Sequence, residues 1–187
     1  MDFVLLLGTF AMKTTDKFVY SLTYSYLCAC KDTKKMEINL PSYEIKLREA
    51  RGRHQIFDIL RRKYVALTPE EWVRQHFVHY LIEHKGYPKG LLANEVELKV
   101  GEKHLRCDTI LYNKVLQPQM IIEYKSPDIA ITQRVFNQIS VYNLLLHVDF
   151  LVVTNGLQHY CCQMDYPQQS YSFLQDIPDY QHLTEQQ

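Results

Sequence analysis

Met120-Ile121-Ile122-Glu123-Tyr124-Lys125-Ser126-Pro127 reads as a strand that begins apolar and ends charged. Alternation along a strand sends Glu123 and Lys125 to one face and Ile122 and Tyr124 to the other. An Ile-Ile run belongs to the middle of a sheet, where charged residues need a reason to be present. Pro127 cannot donate to a ladder and closes the strand. Arg106-Cys107-Asp108-Thr109-Ile110 has the same oddity, an acid set in an apolar strand.

Outward from this stretch the pattern is that of an α/β domain. Glu95 to Val100 alternates, Gly101-Glu102-Lys103 turns, and Leu105 to Tyr112 alternates again, so with Met120 to Lys125 the segments predict a three-stranded antiparallel meander. Before it, Thr68-Pro69-Glu70-Glu71 offers an N-cap hydroxyl, a proline at the first helical position and a capping-box glutamate. Trp72, Val73, Phe77, Val78, Leu81 and Ile82 continue at helical spacing until Gly86 and Pro88 stop the helix. After the meander, Thr132 can cap a second helix with Val135, Ile139, Tyr142 and Leu146 on one stripe. Phe150 to Thr154 is apolar throughout, as in a strand buried on both faces, and Asn155-Gly156 turns the chain into His159 to Gln163.

If the strand before it pairs antiparallel, Asp108 sits across from Glu123 and Lys125. Two carboxylates with a strand carbonyl such as that of Tyr124 form an all-oxygen set suited to Mg²⁺ or Mn²⁺. Such a set suits phosphodiester hydrolysis: the cation polarises the phosphoryl oxygen, and a lysine offsets charge that accumulates in the transition state. Glu95 and Glu97 are both candidates to supplement the metal shell, whereas Glu71 reads as a cap. Gln138 and Tyr142 share a face of the second helix and can reach over the strand towards the carboxylates. The bland alternative is that Glu-x-Lys is a solvated strand face.

Charge is balanced overall, with 21 Lys+Arg against 21 Asp+Glu, which excludes binding of nucleic acid through net charge alone. It is uneven locally. Lys46, Arg48, Arg51, Arg53, Arg61, Arg62 and Lys63 crowd a stretch whose acids are Glu49 and Asp58. A phosphate backbone would meet Arg51, Arg53, Arg61 and Arg62 there, unless the segment is merely a solvated helix face. Five cysteines without a CxxC pair indicate reduced thiols and a cytoplasmic protein. His76 and His79, one helical turn apart, fit surface or core roles better than zinc binding. Phe3 to Ala11 is apolar but too short to span a bilayer, so no membrane partner is expected. Residues 1–35 are expected to be non-native or disordered sequence upstream of a true start at Met36, residues 36–165 the domain, and residues 166–187 an acidic mobile tail.

The stretch from Arg61 to Asp165 resembles the N-terminal nuclease domain of the type I restriction enzyme R subunit, a branch of the PD-(D/E)xK superfamily. The likeness lies in ordered motifs: LTPEEWVRQ at Leu67 to Gln75, Gly86-Tyr87-Pro88, RCD at Arg106 to Asp108, IIEYKSP at Ile121 to Pro127, QISVY at Gln138 to Tyr142 and VVTNG at Val152 to Gly156. The resemblance implies a central mixed sheet flanked by helices. It implies that Asp108 and Glu123 bind the metal, that Lys125 is the catalytic lysine, and that Gln138 with Tyr142 forms a QxxxY element that supports the site and touches DNA. The chain departs from the R subunit in having no GxxxxGK[ST] phosphate loop, so ATP-driven translocation is not expected of it. The expectation is a Mg²⁺-dependent endonuclease that hydrolyses DNA phosphodiester bonds, free-standing or working with a separate helicase or modification subunit; the alternative is an inactive nucleic-acid-binding or protein-interaction module that keeps the fold.

Overall fold

The computed structural model describes residues 37–100 and 102–185. The expectations for residues 1–35 and for Met36 as the start lie outside the described residues.

Three short strands come first, β1 (Leu47–Ala50), β2 (Arg53–Asp58) and β3 (Lys63–Ala66), paired antiparallel in that order. The basic segment is therefore a meander and not a helix face. Its first turn is Arg51-Gly52, with φ of 53° and 70°. Positive φ at both central residues of a two-residue loop matches the twist of the flanking strands, so this local geometry favours a hairpin over helix.

Helix α1 (Pro69–Glu83) starts at Thr68, whose hydroxyl accepts from the Glu71 N–H at 3.0 Å. Only that half of the expected capping box forms, because the Glu71 carboxylate turns to Arg74 and Gln75. Gly86, at φ 70°, reverses the chain after the helix, and the Tyr87 N–H closes on the Leu81 carbonyl. Strands β4 (Leu92–Val100), β5 (Lys103–Tyr112) and β6 (Pro118–Tyr124) form the expected meander. Helix α2 (Gln133–Leu146) crosses over to β7 (Phe150–Thr154), which runs parallel to β6, and β8 (His159–Asp165) follows antiparallel. Thr132 holds the cap position of α2 by backbone geometry without a side-chain bond.

The six-stranded mixed sheet has order β4-β5-β6-β7-β8-β9 and a helix on each face. On one face, Val73, Phe77 and Leu81 of α1 join Leu111, Ile122, Tyr124 and Val152. On the other, Val135 and Ile139 of α2 join Ile110, Ile121, Leu151 and Val153. β7 is buried at every residue, as its unbroken apolar run required. At the Asn155-Gly156 turn, Gly156 has φ 81°, and a Cβ there would stand 2.6 Å from Ile38 Cγ2. Glycine alone satisfies both constraints.

The tail expected after Asp165 gives way to structure over residues 166–185. Strand β9 (Ser170–Leu174) pairs with β8, and helix α3 (Tyr180–Glu185) follows. Ile177 and Leu183, buried in the α1-side core, anchor the segment, and Tyr87 donates to the Pro178 carbonyl. Spacing hid this, because Ile177 and Leu183 stand six apart in a stretch rich in Gln, Tyr and Pro, and their burial depends on the core they meet. Among the described residues, no helix is long and apolar enough to cross a membrane.

Candidate active site

β5 and β6 pair as far as Thr109 and Ile122 and then part, one residue before Asp108 and Glu123 would face each other. In place of the ladder bond, Asp108 Oδ2 accepts the Tyr124 N–H at 2.9 Å. On its other side β5 is irregular too. Glu95, opposite Asp108, is missing from an otherwise continuous β4–β5 register and has φ 57°. Cys107 and Ile110, three apart, both pack into the α2 layer, which strict alternation forbids. The departure from period two is thus centred on Asp108, and left-handed backbone within a strand is strain of the kind that collects at functional sites.

Glu123 is buried and faces α2. Lys125 Nζ donates to its Oε1 at 2.6 Å, and Gln138 Nε2 donates to the same oxygen at 3.1 Å. Burial, with the Asp108 charge second, pushes the Glu123 carboxyl up to about 7, while Lys125 works against the rise. Burial disfavours the Lys125 ammonium, yet the Glu123 carboxylate beside it leaves its pKa above the ordinary value. Tyr142, half-buried one turn beyond Gln138, has its pKa raised by burial, with Gln138 working against the rise. The structure therefore brings together Asp108, Glu123, Lys125, Gln138 and Tyr142.

Sequence reasoning missed Arg74. Its buried guanidinium donates through Nη2 to Asp108 Oδ1 at 2.8 Å and through Nη1 to Glu71 Oε2 at 2.8 Å and Glu95 Oε1 at 2.5 Å. Glu70 stands 3.8 Å away. Burial works against the cation, but Asp108, Glu71 and Glu95 outweigh it and hold the pKa high. Glu70, next to this cluster, is raised by burial and then by Asp108. The one available hint was an arginine amid the apolar positions of α1, three and four residues from two glutamates.

Of the two supplementary acids, Glu95 turns inward to Arg74 and Arg106, whereas Glu97 is exposed. Arg51, Arg53 and Arg62 are exposed on the meander. Arg61 is partly buried and pairs with Asp58 at 2.5 Å and Glu71 at 3.4 Å. Asp58 has no exposed surface, so moving Arg61 away would leave a buried carboxylate short of its cation. His76 and His79 do not converge: the first bonds the Trp72 carbonyl, the second Glu83.

Among the described residues, no three His, Cys, Asp or Glu side chains could share an ion. The carboxylates at the break in the ladder are Asp108 and Glu123. Both are hard oxygen donors, and their mutual repulsion is what a divalent cation would relieve. The residues fit Mg²⁺ or Mn²⁺ bound with its remaining positions open.

A helix-flanked mixed sheet whose central strands part around two acids and a lysine defines a class of α/β site domain. Residues 69–178, more than half of the chain, match the family described as type I restriction enzyme R protein N terminus, and the chain belongs to that family. Among solved structures it is similar to a fragment assigned to the HsdR subunit of a type I restriction enzyme from Vibrio vulnificus YJ016, at 19% identity and TM-score 0.46, over 64% of this chain and 25% of that one. It is also similar to DrdV in a DNA complex, at 18% identity and TM-score 0.40, over 63% of this chain and 12% of that one. The chain thus spans a quarter or less of the length of these relatives. A search of curated proteins finds no match.

Proposed function

We propose that the domain is a PD-(D/E)xK nuclease that hydrolyses DNA phosphodiester bonds, by endonucleolytic cutting, with Mg²⁺ or Mn²⁺ held by Asp108, Glu123 and the Tyr124 carbonyl. The single observation that carries this reading is the parting of β5 and β6 at two carboxylates that repel each other, with an ammonium on one of them. Membership of the restriction R-subunit family supports the choice of reaction and of DNA. A cation held by these residues would supply Lewis-acid polarisation of the scissile phosphoryl group.

The chain's own residues do the rest. Lys125 orients a water for attack on phosphorus and offsets charge on the phosphoryl oxygens as the bond to the leaving oxygen breaks. Gln138 holds Glu123 by Oε1, so that Oε2 keeps one direction. Tyr142 braces Gln138 from the next turn, and Arg74 fixes Asp108. A separate helicase or modification subunit would supply translocation or site recognition.

One observation favours a second reading, a module that binds without cutting. Both Asp108 oxygens already have donors, Arg74 and the Tyr124 N–H. Incubation of purified protein with supercoiled plasmid and linear DNA in Mg²⁺ or Mn²⁺ decides between them. The nuclease reading expects cutting that Lys125→Ala reduces by at least about a hundredfold. Equal cutting by that variant, or intact DNA with the wild type, defeats it.

A further inference from the structure

The sheet β1–β2–β3 precedes the family-matched segment and has two unlike faces. Ile56 and Asp58 point inward and are buried, and the turn after β2 is tied to α1 through Arg61 and Glu71. The register places Arg48 opposite Gln55 and Phe57 opposite Tyr64, and the Phe57 N–H donates to the Lys46 carbonyl. Lys46, Arg48, Arg53, Gln55, Phe57 and Tyr64 therefore share the outward face. Of the acids in the three strands, Glu49 and Asp58 alternate to the inward face.

The outward side chains are organised. The Arg48 guanidinium lies 3.9 Å above the Tyr64 ring and its Nε donates to Gln55 at 2.8 Å. Tyr64 meets Phe57 edge-on at 5.2 Å, with Lys46 Nζ 6.0 Å from the Phe57 centroid. A guanidinium stacked in this way keeps its outer plane for a base and its remaining N–H groups for phosphate. Cations two residues apart on one strand face follow an extended backbone in step. A cationic face free of strand carboxylates is complementary to a polyanion, and its aromatic rings distinguish a nucleic-acid strand from an acidic peptide.

We propose that this face is a second DNA-contact surface, holding an unpaired strand by its phosphates through Lys46, Arg48 and Arg53 and by base stacking on the Arg48–Tyr64 pair. It rests on the reading of the domain as one that acts on DNA and adds where a single-stranded segment is held.

The test is fluorescence anisotropy with a labelled 30-nucleotide DNA strand, its duplex and its RNA counterpart, in EDTA across a salt series. The triple variant Lys46→Gln, Arg48→Gln, Arg53→Gln should bind the DNA strand at least about tenfold more weakly, with the log–log salt slope smaller by about 2 for three lost phosphate contacts. Arg48→Lys keeps the charge, so it should keep the slope and lose affinity for the single strand several-fold. Circular dichroism melts confirm that each variant is folded. Unchanged affinity and slope in the triple variant, a wild type that holds no DNA strand, or one that holds RNA alone would each overturn the proposal. EDTA separates this result from cleavage: equal cutting by Lys125→Ala would remove the nuclease reading and leave the anisotropy outcome standing.

Discussion

Arg74→Met tests whether the buried acids depend on an internal counter-cation. Methionine keeps much of the arginine stem and its apolar contacts, but Asp108, Glu71 and Glu95 lose a donor that stands 2.5–2.8 Å from each. Removing one partner from a buried ionic cluster costs about 3–5 kcal/mol. Asp108 and Glu95 each keep 15% side-chain exposure, so water recovers part of that, and the low end, about 3 kcal/mol, is expected. At about 2–4 °C per kcal/mol for a chain of this size, the Tm should fall by about 10 °C. Thermal and urea unfolding, measured by circular dichroism in EDTA, read the loss. Saturating Mn²⁺ should then restore more stability to the variant than it adds to the wild type, because the carboxylates have lost their own cation. A Tm within about 2 °C of wild type would refute the reasoning, since it would mean that water already screens the cluster.

Two buried groups should tilt stability with pH in opposite directions. Burial pushes His76 down to about 4 from 6.5, so the unfolded chain takes up a proton first and stability falls as pH drops from 6.5 towards 4. Glu123, raised to about 7 from 4.5, binds its proton more tightly when folded, so stability falls as pH rises from 4.5 to 7. Urea midpoints in EDTA should show the His76 slope unmasked in Glu123→Gln, with a gain on the order of 2 kcal/mol above pH 7; no gain would contradict the burial argument. Gly156→Ala should cost about 2 kcal/mol or more, from positive φ and the close Ile38 methyl group, and wild-type thermal stability in the variant would refute it. Ile122→Ala, at a fully buried β6 position, should lower the urea midpoint by the equivalent of about 2–5 kcal/mol, and a change below about 1 kcal/mol would contradict the packing.

The parts legible in the sequence were those written in local periodicity. Alternation named β4, β5 and β6, an unbroken apolar run named β7, and cap and stop residues bracketed α1. Glu123 and Lys125 were findable because charge at the end of an apolar strand is costly, and Asp108 because it repeats that anomaly one strand away. Tertiary contacts decided the rest. β9 and α3 are held by Ile177 and Leu183, whose burial depends on a surface built by residues far back in the chain. Arg61 looked free until Asp58 and Glu71 closed on it, and Glu95 and Glu97 could not be told apart until φ 57° at Glu95 turned one of them inward. Arg74 was invisible because its role comes from three acids lying 3, 21 and 34 residues away, and the energy of an ion pair depends on separation in space and on exclusion of water, neither of which spacing along a chain encodes.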